Sequence, residues 1–171
     1  MNITILNDFL ELPDWQTAVS KTVQGKNWEF AGFSNNVQKE IKFWYMNLDQ
    51  DEFFTKKCFA SISKQFNRHY ELDRVYANGQ TYGLSGSLHQ DVIDADSSYK
   101  TFLYYPGPFW DVTYGGYTVF HDKTNDSIFS YYPTPNSAVM FDSNIWHAGL
   151  EPTRHCTDLR VTVAFKLREI S

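Results

Sequence analysis

The sequence predicts a mainly β fold with α-helices gathered in its N-terminal part. Three observations carry this. Beyond Leu72 the chain breaks into short apolar, β-branched and aromatic runs punctuated by Gly83, Gly86, Pro106-Gly107-Pro108, Gly115-Gly116 and Pro133-Thr134-Pro135-Asn136. Short strands between such turn residues make a β-sandwich, jelly roll or barrel. Before Leu72, apolar residues recur at helical spacing. Aromatic residues make up 18% of the chain, an excess that suits pleated surfaces around a lined cavity.

The elements follow in order. Residues 13–24 read as a helix with Pro13 in its first turn and Gly25 just past its end. Aromatic-rich residues 27–33 and 41–48 read as strands. Residues 51–70 form the clearest helix, since Phe54, Cys58, Ile62 and Phe66 recur every fourth residue, flanked by Phe59 and Tyr70, as one apolar stripe that packs on a sheet. Strands are then expected at 74–82, 99–105, 117–121, 128–132, 138–142 and 159–167. No internal repeat or low-complexity segment interrupts them. The expectation is one domain over 1–171, with helical support over about 1–72 and a β core over about 73–168.

Charge and cysteines narrow the function classes. A formal charge of −5 lacks the Lys/Arg excess of a general phosphate-binding surface, so no nucleic-acid partner is expected. Cys58 and Cys156 lie far apart without a C-x-x-C spacing, and Cys58, on the apolar stripe, reads as a buried free thiol. The N-terminus has no basic segment before an apolar run, and no stretch approaches the ~20 apolar residues of a membrane span. The expectation is a soluble, cytoplasmic protein with no membrane partner; its oligomeric state is left open.

The chemistry begins at His89-Gln90-Asp91. On an extended segment, residues i and i+2 share a face, so the imidazole and the carboxylate converge. His147, just beyond the strand at 138–142, sits where a sheet can bring it to the other two. Two imidazoles and a carboxylate on one face of a metal leave three positions open, the arrangement of non-haem Fe(II) oxygenases. Taken alone, H-x-D is a common string, and His89 by itself reads first as a hydrogen-bonded surface histidine rather than as a ligand. Arg160 adds weight. In 159–165, Leu159, Val161, Val163 and Phe165 take one face, and Arg160, Thr162 and Ala164 the other. An arginine aimed into a sheet interior is costly without an anion, and its planar fork suits a carboxylate, with the Thr162 hydroxyl beside it. The other reading is an edge strand with Arg160 in solvent; a metal triad upstream favours the carboxylate anchor.

In this order the motifs resemble the Fe(II)/2-oxoglutarate-dependent dioxygenases, in particular their prolyl 4-hydroxylase-like branch. Tyr76-Ala-Asn-Gly-Gln-Thr-Tyr82 is similar to that branch's Tyr-x-x-Gly-Gln-x-Tyr segment, and Phe102-Leu-Tyr-Tyr105 to its hydrophobic-Tyr-Tyr segment. Trp110 followed by Gly115-Gly116-Tyr-Thr-Val-Phe120 resembles its Trp…Gly-Gly-x-Thr-x-Phe element. Asn136-Ser-Ala-Val-Met-Phe-Asp142 with His147-Ala-Gly149 resembles its distal-histidine strand. The match runs from about residue 74 to 167.

The resemblance implies a double-stranded β-helix, or jelly roll. It implies Fe(II) on His89, Asp91 and His147, with 2-oxoglutarate and O2 as cosubstrates. Arg160 would anchor the distal carboxylate of 2-oxoglutarate, assisted by Thr162 and the Tyr105 hydroxyl, with Tyr76 reaching it from the other side. For both tyrosines, simple core packing is the alternative. The implied reaction hydroxylates a substrate C–H, foremost a peptidyl proline, while 2-oxoglutarate becomes succinate and CO2. Asp91 argues against halogenation, which in the family needs a small residue there. The stretch 83–88 is longer than in the branch and alters the rim, where Tyr82, Trp110, Trp146, Asp94 and Asp96 are substrate-side candidates, although each taken singly reads first as ordinary aromatic packing or a solvated acidic loop. The alternatives are the same chemistry on a small molecule or nucleobase, and a non-catalytic jelly-roll module that binds a metal or ligand. A zinc hydrolase leaves Arg160 without a purpose.

Overall fold

The computed structural model describes residues 1–93 and 96–170. The chain runs through β1 (Ile3–Leu6), α1 (Leu12–Lys21), β2 (Glu29–Gly32) and β3 (Phe43–Asn47). A π-helical turn (Phe53–Cys58) then leads into α2 (Phe59–Phe66), followed by β4 (His69–Gln80), β5 (Tyr99–Tyr105) and β6 (Thr118–Asp122). The last strands are β7 (Ser127–Tyr131), β8 (Ser137–Asp142), β9 (Trp146–Gly149) and β10 (Arg160–Ile170). A larger antiparallel sheet has the order β1-β8-β5-β10-β4-β3-β2, and a smaller one the order β7-β6-β9.

Strand alternation divides the interior into two cores. On the helix side of the large sheet, Val75, Ala77, Phe102, Tyr104, Ala138, Met140, Val163 and Phe165 pack against Ala18, Phe54, Cys58 and Ile62. The odd–even partners on those same strands, Leu103, Tyr105, Val139, Phe141 and Ala164, face the small sheet and meet Phe120 and Tyr131. Strands β8, β5 and most of β10 are thus buried on both faces, and Leu103 and Ala164 of the second core also line a cavity described below. Among the described residues, no helix is long and apolar enough to cross a membrane.

Several boundaries differ from the sequence reading, each for a local reason. The helix expected over 51–70 ends at Phe66, because Asn67 turns left-handed at φ 48° and reverses the chain. Phe54, Cys58 and Ile62 are buried as the stripe requires, but Phe66 is only partly so. Tyr70 reaches the same core from β4 rather than from the helix. β4 starts five residues before the expected strand (74 − 69) and stops at Gln80. β1 and β9 were not expected, being four residues each. β1 pairs with β8 at the sheet edge, so residues 1–68 supply three strands, β1, β2 and β3, to the large sheet besides the helices.

Candidate metal centre and carboxylate pocket

The site is assembled across the two sheets. His147 lies on β9, and the segment carrying His89 runs antiparallel beside it, with His89 N–H donating to His147 O at 3.0 Å and the reverse bond at 2.9 Å. The Asp91 N–H donates to Ser143 O at 2.9 Å, just past β8. These three backbone bonds turn the H-x-D string and a distant histidine into one cluster. Nε2 of His89 is 3.5 Å from Asp91 Oδ1, and Nε2 of His147 is 3.5 Å from Asp91 Oδ2. The three candidate ligand atoms all lie within 4.8 Å of one another.

Each histidine is oriented by a carbonyl two residues earlier in its own chain. His89 Nδ1 lies 2.8 Å from Ser87 O, and His147 Nδ1 lies 2.9 Å from Ile145 O. A carbonyl only accepts, so Nδ1 carries the proton and Nε2 keeps its lone pair for a metal. Burial against Phe120 and Phe141 pulls the His147 imidazole down to about 4, so it is neutral at pH 7. Burial drives the Asp91 carboxyl up, yet the Lys166 ammonium, and after it His147, outweigh burial and hold it well below the usual carboxylate range. Burial pulls Lys166 down, and Asp91 more than reverses this.

Arg160 opens the second half of the site. It is 2% exposed on β10, in the middle of the large sheet rather than at an edge. Its Nε donates to Gly116 O at 2.5 Å, Nη1 to Gln80 Oε1 at 2.7 Å and Thr162 Oγ1 at 2.9 Å, and Nη2 to Thr118 Oγ1 at 2.8 Å. Among the described residues these partners are all neutral, so a full positive charge is buried without an anion. Gly116 has φ +67°, and a Cβ there would stand 3.0 Å from Arg160 Cδ and 3.1 Å from the Trp110 ring. The second glycine of the Gly-Gly pair is therefore what lets this backbone carbonyl reach the guanidinium.

A cavity of about 730 Å³ joins the two halves, with His89, Asp91 and His147 on one wall and Arg160, Thr162 and Lys166 on another. Tyr76 also lines it, its ring against Tyr45 and under the Arg74 guanidinium. Tyr105 is not on the cavity wall. Its hydroxyl donates to Thr118 Oγ1 at 2.8 Å, the oxygen that also takes Arg160 Nη2, while Leu103, two residues earlier on the same face, lines the cavity.

The three aromatic rim candidates are not brought to this cavity either. Tyr82 lies beyond the end of β4 and is 62% exposed. Trp110 packs on Tyr114 and donates to Gly115 O at 3.0 Å. Trp146 is on β9 one residue from His147, so alternation turns it to the opposite face, where Lys123 Nζ sits 3.5 Å from its ring centre. Asp96 is exposed and accepts from the Ser98 N–H, and Asp94 lies outside the described residues.

Four side chains of the site were not singled out from the sequence: Gln80, Thr101, Thr118 and Lys166. Gln80 and Thr118 belong to motifs quoted above, without an assigned role. Lys166 was reachable by alternation, being the next residue on the face of Arg160, Thr162 and Ala164.

The model of the 2OG-Fe(II) oxygenase superfamily matches residues 74–167, more than half of the chain. The protein belongs to that superfamily. No curated protein matches the oxygenase in sequence. Among solved structures it is similar to a Trichoplax adhaerens prolyl hydroxylase in complex with a hypoxia inducible factor peptide fragment, at TM-score 0.72 and 16% identity, covering 98% of this chain and 83% of that one. It is similar to the viral collagen prolyl hydroxylase of Paramecium Bursaria Chlorella virus-1 in its 2OG complex, at TM-score 0.66 and 14% identity, over 99% and 97% of the two chains. A Pseudomonas putida prolyl-4-hydroxylase gives TM-score 0.65 and 12% identity, over 99% and 93%. At these identities the likeness is one of fold, the double-stranded β-helix.

Oxygenases of this superfamily use Fe(II), 2-oxoglutarate and O2, and the residues present fit those groups. Two imidazoles with free Nε2 atoms and one ionised carboxylate form a possible iron site. The uncompensated guanidinium in the same cavity suits one end of a dicarboxylate.

Proposed function

We propose that this oxygenase hydroxylates a peptidyl proline, with Fe(II) held by His89, Asp91 and His147 and 2-oxoglutarate held by Arg160. The observation that carries the reading is the buried Arg160, whose protein partners are all neutral and which shares a cavity with the His-Asp-His cluster. Burying such a charge without a counter-ion costs several kcal/mol, on the order expected for an ion removed from water, and a bound carboxylate offsets that cost. When bound, iron and 2-oxoglutarate supply the oxidising chemistry, with succinate and CO2 released.

The chain's own residues bind and orient. Arg160 takes the distal carboxylate, and the Thr162 and Thr118 hydroxyls beside it add polar contacts. Gln80 holds Nη1 of Arg160 while donating to Gly149 O at 2.7 Å and Leu84 O at 3.1 Å, which fixes the fork. Tyr105 acts through Thr118, and Tyr76 closes the cavity on the side of β4. A peptide substrate is supported by the cavity mouth, which is lined by Phe33, Val37 and Ile93, apolar residues 40%, 89% and 88% exposed. We also read the whole chain as one oxygenase unit. The free thiols of Cys58 and Cys156 suit a reducing cytoplasm.

Anaerobic addition of Fe(II) and 2-oxoglutarate is expected to produce the weak visible metal-to-ligand charge-transfer band, and air is expected to start slow succinate formation without substrate. Absence of both rejects the proposal. Succinate release, screened over proline-containing peptides, free amino acids and nucleotides, is expected to rise with the peptides; stimulation by the other classes alone rejects the proline assignment.

A further inference from the structure

Each candidate ligand has one polar end already committed, and Asp91 commits its end differently from the histidines. His89 and His147 are held by carbonyls two residues away in their own segments. Among the described residues, Asp91 has no such local partner. Its Oδ2 accepts from Thr101 Oγ1 at 2.6 Å and from Lys166 Nζ, side chains from β5 and β10. Those two residues are register partners in the β5–β10 ladder, so they approach the carboxylate as a pair from the large sheet. Lys166 Nζ also lies 3.4 Å from Thr101 Oγ1, which is 3.0 Å from Ser143 Oγ. Asp91 N–H is bonded to Ser143 O, so the backbone and one carboxylate oxygen of Asp91 are tied to the same small network. Oδ1 is left facing His89 Nε2 at 3.5 Å.

Lys166 is 7% exposed, and a buried ammonium is expensive even when paired; an apolar residue of similar size is often neutral or better for stability. Nothing in the packing of β10 calls for a lysine here, since its neighbour on that face, Ala164, belongs to an apolar cluster. What a cation does at this position is hold Asp91.

We infer that Lys166, together with Thr101, is a positioning residue for the metal centre: it grips Oδ2 of Asp91, which also lies 3.5 Å from His147 Nε2, and leaves Oδ1, beside His89 Nε2, as the oxygen without a lysine or hydroxyl donor among the described residues. The inference rests on His89, Asp91 and His147 being the metal ligands, as proposed above. The consequence is a matter of coordination positions. A carboxylate that gripped the ion through both oxygens would occupy one of the positions the facial arrangement leaves open. 2-Oxoglutarate, binding through two oxygens, would then leave none for O2.

The test uses the full chain, with Mn(II) affinity read by anaerobic calorimetry and the visible band of the Fe(II) and 2-oxoglutarate mixture read by spectroscopy. Lys166→Met is expected to weaken Mn(II) binding about ten- to a hundredfold, the range for losing a partner that orients a ligand, and to shift the band. Lys166→Gln keeps a donor and is expected to recover part of the affinity and to move the band back toward that of the wild type. Unchanged Mn(II) affinity with an unmoved band in Lys166→Met overturns the inference. So does a loss of affinity in both variants that only tracks a falling melting temperature of the metal-free chain. If Lys166→Met does not fold, Thr101→Val removes the other donor at constant shape, and unchanged Mn(II) affinity there overturns the clamp. A wild-type chain that binds neither metal nor 2-oxoglutarate rejects the underlying ligand assignment instead.

Discussion

Strand β10 turns Val161, Val163, Phe165 and Leu167 toward the helices and Arg160, Thr162, Ala164 and Lys166 toward the cavity, and all eight are at most 7% exposed. One face is apolar and fills space. On the other, each polar group has named partners: Gln80, Thr118 and Gly116 for Arg160, and Asp91 for Lys166. Equal burial thus hides two kinds of dependence. The helix-side residues hold the fold through area and packing, whereas the cavity-side residues hold one another and what binds between them. The central place of β10 between β5 and β4 is what allows both on one backbone.

The contrast is tested by measuring stability and ligand binding on the same variants. Phe165→Ala, on the helix side, is expected to give the largest loss of stability, about 4 kcal/mol by chemical denaturation. A loss below about 1 kcal/mol would mean that this face does not carry the core. Asp91→Ala comes next, at about 3 kcal/mol in the metal-free chain, because it strands the Lys166 ammonium in the interior.

The pH dependence of that second loss follows from the two partners. Asp91's lowered value adds stability above the usual carboxylate range, which is lost as pH falls through the lowered value. Lys166's raised value adds stability below the usual lysine range, which is lost as pH rises through the raised value. Wild-type stability should therefore show no slope from this pair between about pH 6 and 9, whereas Asp91→Ala, in which burial acts on Lys166 without Asp91 to oppose it, should gain stability as pH rises. A difference between the two chains that widens as pH rises would show that the pair is not ionised as described.

His89→Ala is expected to cost under about 1 kcal/mol, since the ring is partly exposed and lies outside both apolar cores, while removing measurable Mn(II) binding. Stability loss on the scale of Phe165→Ala would make the cluster structural rather than metal-binding. Lys56→Ala is the smallest change. Its ion pair with Glu52 on the helix surface, with side chains 70% and 77% exposed, is worth about 0.3 kcal/mol, and neither denaturation midpoint nor 2-oxoglutarate affinity should move.

The alternation of 159–165 placed Arg160 and Thr162 on one face without any partner in view, because that depends only on the period of a strand. The same rule made His89 and Asp91 converge. Short elements were less legible. β1 and β9 are four residues long, too short for a periodic pattern, and they exist because β8 and β6 offer them hydrogen-bonding edges. The aromatic rim was also out of reach. Whether Trp146 faces the cavity depends on the register of β9 against β6, and Tyr82 is released by the end of β4 at Gln80. Tyr105 shows the subtler limit, since its hydroxyl stops at Thr118, one hydrogen bond short of the cavity.

By itself, then, the sequence determined the class of the fold, the face on which each chemistry-bearing residue stands and the presence of two histidines, an aspartate and an arginine in an order shared with a known family. These follow from local periodicity and residue chemistry. Only the tertiary structure decided that Asp91 meets Lys166 across 75 residues of chain and that Arg160 is held by neutral acceptors from β4 and the turn before β6. The reason is physical. A side chain's face is set by its own strand, but its partner is set by the register and stacking of strands far away in the chain.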